Sequence, residues 1–273
     1  MRHLAWSVAL VALAASTAQA QRVLLELRPR FGDTLHMRLD QTSEMSGTRV
    51  GAAPAKQLVT TLQMFSRAIV ESSAPAVAII LAVTDSVVVT STDERARPLA
   101  KASKSQLEGR RLRLRLAPDG TVGMADQSDK VSREVTDLVS VMPASFPRGS
   151  VAIGDTWLRE MPIPPAPSLG VPGGGVVRAA FRLDSLSGNG ELAFLSLRGT
   201  VRQVAEQVAP GVGALTGSVS GSMVVNRRRG WLSESRFLLQ MRATLARVGG
   251  ADTTPMQFRM KITQHMRVID ERR

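Results

Sequence analysis

Apolar and polar residues alternate one for one in several separate stretches of this chain, and that period restricts it to β-strands with one wet face. Leu35, Met37 and Leu39 alternate with His36, Arg38 and Asp40, and Leu112, Leu114 and Leu116 with Arg111, Arg113 and Arg115. Val177, Ala179, Phe181 and Leu183 stand opposite Arg178, Arg182 and Asp184, and Met256, Phe258, Met260 and Ile262 opposite Gln257, Arg259, Lys261 and Thr263. Ala76 to Thr90 is rich in Val and Ile and reads as a strand pair or one long bent strand. Pro118-Asp119-Gly120 and Gly188-Asn189-Gly190 supply turns, and Arg227 to Gly230 joins strands over Leu215–Asn226 and Trp231–Val248.

A short motif occurs twice. Phe31-Gly32-Asp33-Thr34-Leu35 and Ile153-Gly154-Asp155-Thr156-Trp157 share the order apolar-Gly-Asp-Thr-apolar, each ahead of a strand-like stretch. Gly accepts the turn conformation while Asp and Thr bond the nearby backbone, so the pair marks structural turns and not a catalytic carboxylate pair. The spacing predicts two similar halves, 21–125 and 150–273, in a single domain. Lys56 to Ser72 also fits one face of a helix, but its counterpart in the second half alternates, so a strand is expected there. Val131, Val135, Leu138, Val139 and Met142 recur at helical spacing, which predicts an amphipathic helix over 128–141 between the halves. Met161 to Gly175, with five prolines, reads as a loop.

The fold class expected is therefore mainly β: one strongly curved antiparallel sheet, a half-barrel or clam shape, made of two similar halves with one helix between them. Its stability must come from apolar burial, because the 273 residues include no cysteine. Residues 1–20 read as an export signal: Arg2 and His3, an apolar run from Leu4 to Ala15, and small residues at Ala18 and Ala20 ahead of Gln21. The apolar run is too short to span the ~30 Å hydrocarbon layer, and no later stretch offers a transmembrane segment after cleavage. The expected location is the periplasm or the medium.

The full chain carries 35 basic against 23 acidic residues. Such a surface attracts anions, and the best candidate contacts are the ladder Arg111, Arg113 and Arg115 and the cluster Arg227, Arg228 and Arg229. Nucleic acid is not expected as a partner: there is no tyrosine, and aromatic residues make up 4% of the chain, too few for stacking platforms. No metal site and no cofactor are expected, since His36 and His265, the histidines beyond the signal, lie far apart and in the polar phase of their strands. Gly211, Gly213 and Gly217 miss the dinucleotide spacing, and Gly217-Ser218-Val219-Ser220-Gly221 has valine where a serine elbow needs its nucleophile. No catalytic residue is assigned.

On the paired Gly-Asp-Thr strands and the approach from Phe146-Pro147 to Val151-Ala152-Ile153-Gly154-Asp155-Thr156-Trp157, the chain resembles an uncharacterised family of exported bacterial β-rich proteins. The architecture implied is similar to the half-barrel of periplasmic lipoprotein carriers, whose concave apolar face holds acyl chains; their lipid-linked cysteine has no counterpart here. The expectation is a non-catalytic envelope protein that holds a lipid or other amphipathic molecule on its concave face. The alternatives are a structural or protein-interaction module with a filled core, meeting another envelope protein, and a hydrolase with an unrecognised site.

Overall fold

The computed structural model describes residues 22–49, 57–94, 104–125, 145–163, 175–203, 212–245 and 255–269. Their strands are β1 Thr34–Arg49, β2 Leu58–Ser73, β3 Ala78–Ser91, β4 Arg111–Leu116, β5 Val122–Met124 and β6 Thr156–Ile163. They continue with β7 Gly175–Leu186, β8 Leu192–Gln203, β9 Val212–Asn226, β10 Trp231–Leu245 and β11 Met256–Ile269. All join one eleven-stranded sheet in the order β5-β4-β3-β2-β1-β11-β10-β9-β8-β7-β6, every pair antiparallel. The chain meanders from β1 out to one edge, crosses to the other edge, and meanders back until its last strand pairs with its first.

Register assigns each strand an inner and an outer face. Leu35 pairs with Ala68, Ala68 with Ala82 and Ala82 with Leu112, while Met45 pairs with Met260 and Met260 with Met241. The apolar phase of these strands thus falls on the same side. At β7, β8 and β9 that side is closed: Ala179, Leu183, Ala193 and Val225 are wholly buried.

The sheet is strongly curved. Cα atoms of β7 and β9, next-but-one neighbours, come within 8 Å of each other, nearer than the about 9.6 Å of flat strands. Gly217 and Gly221 permit this bend on the inner side of β9: a Cβ there would stand 2.2 Å from the Gln240 carbonyl oxygen and 2.3 Å from that of Arg236. At the end where the tight turns gather, the two edges meet around one segment. The Phe146 N–H donates to the Asp119 carbonyl in the β4–β5 turn at 3.0 Å, and the Trp157 indole N–H of β6 donates to the Ser145 carbonyl at 2.9 Å. In a flat sheet those two positions would lie roughly 45 Å apart.

The chain ahead of β1 plugs this end. Val23 and Val151 exchange backbone hydrogen bonds of 2.7 and 2.8 Å, Leu27 donates to the Pro118 carbonyl at 2.8 Å, and the Ser73 hydroxyl donates to the Pro29 carbonyl at 2.7 Å. Leu25 and Phe146 are each 1% exposed and fill the space between the edges. Trp157 stacks on Phe181 beside them, ring centroids 6.0 Å apart.

One expectation changes. Met161–Ile163 end β6 and Gly175 opens β7, so both ends of the stretch expected as a loop are strand. Pro162 fits because β6 is an edge strand, where a missing N–H costs no ladder bond. Of the two readings of Ala76 to Thr90 the single strand holds: β3 runs Ala78–Ser91 with a register irregularity between Ser86 and Thr84. The helix expected over 128–141 lies outside the described residues.

Candidate functional site

Inward residues at the ends of β2, β1, β11 and β10, among them Leu35, Ala68, Met241 and Met260, are buried, but the middle of this face differs from the closed half beside it. Leu39, Leu62, Met64, Phe237, Leu239, Ile262 and Met266 all point inward, yet each is only half-buried. Side chains of this kind normally disappear into a second layer; here they line a concave surface that water still reaches. The lining is not wholly apolar, as the alternation had suggested. Gln41 and Gln264 face each other across β1 and β11, and the Gln41 amide lies 3.4 Å from the Ser43 hydroxyl. An apolar wall with amide and hydroxyl groups at mid-height can take a chain-like apolar molecule and hydrogen-bond a carbonyl or hydroxyl on it.

The outer face is wet and laced with ion pairs. Arg38 grips Asp40 through two nitrogens, at 2.8 and 2.9 Å, with Gln63 donating to the same carboxylate at 2.9 Å; the guanidinium also stands 5.5 Å over the Phe65 ring. The Arg38 hydrogen bond, more than any other cause, holds the Asp40 carboxyl below its ordinary value. Lys261 bonds Glu44 at 2.8 Å and lowers it in the same way. His265 bonds Glu234 at 2.8 Å and is the first cause of that carboxyl's lowering, with Arg236 adding its charge at 2.7 Å. A lipid-embedded barrel carries an apolar band outward, and this face has the reverse polarity. No helix among the described residues is long and apolar enough to cross a membrane.

The residues singled out in the sequence fall into separate places. Arg111, Arg113 and Arg115 stand on the outer side of β4, where Arg113 pairs with Glu71 at 2.9 Å. Arg227, Arg228 and Arg229 form the β9–β10 turn. Arg227 donates to the Gly190 carbonyl at 2.6 Å, Arg228 pairs with Glu191 at 3.2 Å, and the Arg229 backbone N–H bonds Asn226 at 2.9 Å. The ladder and the cluster do not converge on one site. His36 and His265 sit on the outer face of neighbouring strands, and among the described residues no group of three His, Asp or Glu is gathered as a metal would need.

The two Gly-Asp-Thr turns match bond for bond. Gly32 and Gly154 have φ of 83° and 94°. Their N–H groups donate to Val70 and Leu183, while Asp33 and Asp155 accept from the backbone N–H of Arg30 and Ala152 at 3.2 and 2.9 Å. These carboxylates hold turns. In the plug at 22–30, Val23, Leu25 and Leu27 alternate with Leu24, Glu26 and Arg28, a short run that is the one sequence signal of its inward face; Phe146 has no signal beyond its place in the approach to the second motif.

No protein-family model matches the chain, and no curated protein is similar to it in sequence. Among solved structures it is similar to lipovitellin, in a structure concerned with lipid–protein interactions, at TM-score 0.50 and 9% identity over 88% of this chain. The chain spans about a quarter of the lipovitellin chain's length, 25%. OccK2 of Pseudomonas aeruginosa aligns over 89% of this chain and 100% of its own at 7% identity and TM-score 0.25. A DUF1329 family protein of Desulfovibrio piger aligns over 88% and 89% at 12% identity and TM-score 0.16. The lipovitellin likeness is one of fold, and the other two are too low to carry an argument.

Proposed function

We propose that the protein is an exported, non-catalytic holder of an apolar or amphipathic ligand, lipid-like in class, carried on the concave face of β2, β1, β11 and β10. The observation that carries this reading is the set of inward Leu, Met, Ile and Phe side chains left half-buried on that face. At ~25 cal/mol per Å² of apolar surface removed from water, covering such a wall favours a long apolar chain over a small polar solute. Gln41 and Gln264 favour a ligand that also bears a hydrogen-bonding group. The fold shared with lipovitellin supports a lipid as the ligand class, and the apolar run and small-residue site of residues 1–20 support export.

The test is titration of detergent-free protein with a fluorescent fatty acid, together with native mass spectrometry of protein purified from its source. Saturable binding is expected, and Leu62→Lys with Ile262→Lys should weaken it at least about tenfold by placing charges on the apolar wall. Circular dichroism of that variant should be unchanged. Absence of binding to the unaltered protein, or equal binding by the folded variant, overturns the reading. The fully buried inner side of β7 and β8 favours a second reading, a filled structural or interaction module; it predicts a clean apo mass and one dominant partner on cross-linking in cells.

A further inference from the structure

On the outer face of β9, β10, β11 and β1 a depression of about 710 Å³ is lined mainly by residues of the wet phase. Arg242 and Arg259 stand directly opposite each other across β10 and β11, both exposed. Like charges facing one another across a strand pair repel; Arg38 and Arg267 also face each other on this side of the sheet, but there Asp40 takes up Arg38 at 2.8 Å. Here no ion pair or hydrogen bond serves either guanidinium among the described residues. Lys261 and Glu44 complete the charged lining and satisfy each other at 2.8 Å. Two positive charges are therefore left over from three cations and one anion. Arg202 extends the row through Thr216, which pairs with it on one side and with Arg242 on the other. A register shift between Ala243 and Leu245 lies beside Arg242, an irregularity of the kind that re-aims side chains at binding sites. Most of the remaining lining is hydroxyl and amide, including Ser218 and Gln257, with Gly217, Met241 and Met260 of the inward phase also reaching it.

We infer that this depression binds a phosphate-bearing, hydroxyl-rich group, a sugar phosphate or a phosphorylated polyol headgroup, with the phosphate between Arg242 and Arg259. A guanidinium pair offers a fork of N–H donors to each side of a phosphate and loses its mutual repulsion when the anion arrives. The hydroxyl and amide groups suit the polyol, and the volume exceeds what inorganic phosphate alone would fill. The site is on the opposite side of the sheet from the concave apolar wall, so it stands or falls separately from the function proposed above.

The experiment uses the full folded chain and two probes. Glucose 6-phosphate, with glucose as control, is titrated calorimetrically; phosphatidylcholine vesicles with and without phosphatidylinositol are tested by co-sedimentation. Binding of glucose 6-phosphate supports the site with a free solute as its source, and binding confined to phosphatidylinositol vesicles supports it with a lipid headgroup. In either case Arg242→Gln with Arg259→Gln should weaken binding at least about tenfold. Replacing Arg111, Arg113 and Arg115 by glutamine should leave it unchanged. The double variant should also melt higher than the unaltered protein without ligand, since a repulsive pair is gone, and should no longer be raised by glucose 6-phosphate. Failure of the unaltered protein to bind either probe, or equal binding by the double variant, overturns the inference.

Discussion

Gly154 sits at φ 94° with nothing within 4 Å of where a Cβ would stand, so a substitution there is tested by backbone strain alone. Gly154→Ala is expected to cost about 1–2 kcal/mol, lowering the thermal midpoint by roughly 2–8 °C; calorimetry checks it, and no change would mean the turn relaxes. Asp40 gives a pH signature. Its folded-state carboxyl is held below the ordinary 3.8, first by the Arg38 hydrogen bond, so the unfolded chain takes up the proton sooner. Its stabilisation is complete above that ordinary value and is lost as pH falls through the lower folded-state one. Asp40→Asn should flatten this part of the acid-unfolding curve, measured as urea midpoints from about pH 5 down to about pH 2. Single residues were legible where their role is local: His36 and His265 read as outer-face residues from alternation alone, and Asp33 and Asp155 as turn formers. The facing of Arg242 and Arg259 was not legible, because register between strands is set by turns and packing rather than by either strand's own pattern.

Among the elements, segments outside the long strands join the two edges of the sheet. Phe146 ties the β4–β5 turn to β6 through its backbone and fills the gap between sheet edges with its ring. Phe146→Ala is expected to destabilise the protein by ~3–5 kcal/mol through transfer and cavity losses. Denaturant unfolding monitored at Trp157 would record this, and a loss under ~1 kcal/mol would show that the gap can collapse. Gly221→Val should be worse tolerated than a valine on the outer side of β9, since its Cβ would meet the Arg236 carbonyl oxygen at 2.3 Å. Limited proteolysis of the two variants compares them directly. Strands were readable because one wet face writes itself into every second residue. Lys56 to Ser72 fitted two periods, and its long run as β2 was settled by ladders to β1 and β3 on either side. The proline-rich stretch misled at its ends because edge strands tolerate proline, and being an edge is a property of the sheet.

For the whole molecule, the outward ion pairs predict that the folded chain is monodisperse in buffer without detergent, which light scattering tests; dependence on detergent would contradict an outer face built for water. The alternation of oily and charged residues and the tight turns between the runs were enough to determine a one-sided antiparallel sheet, because the period of two is a local consequence of strand geometry. Which strands became neighbours was decided elsewhere. The pairing of the last strand with the first, and the convergence of both edges on Phe146, depend on contacts between residues far apart in the chain. So does the division of the inner side into a sealed half and a more open one, since the same alternating strand can face a plug or face water, and only the packed chain assigns Leu25 and Phe146 to one half and leaves Leu39 and Ile262 half-buried in the other.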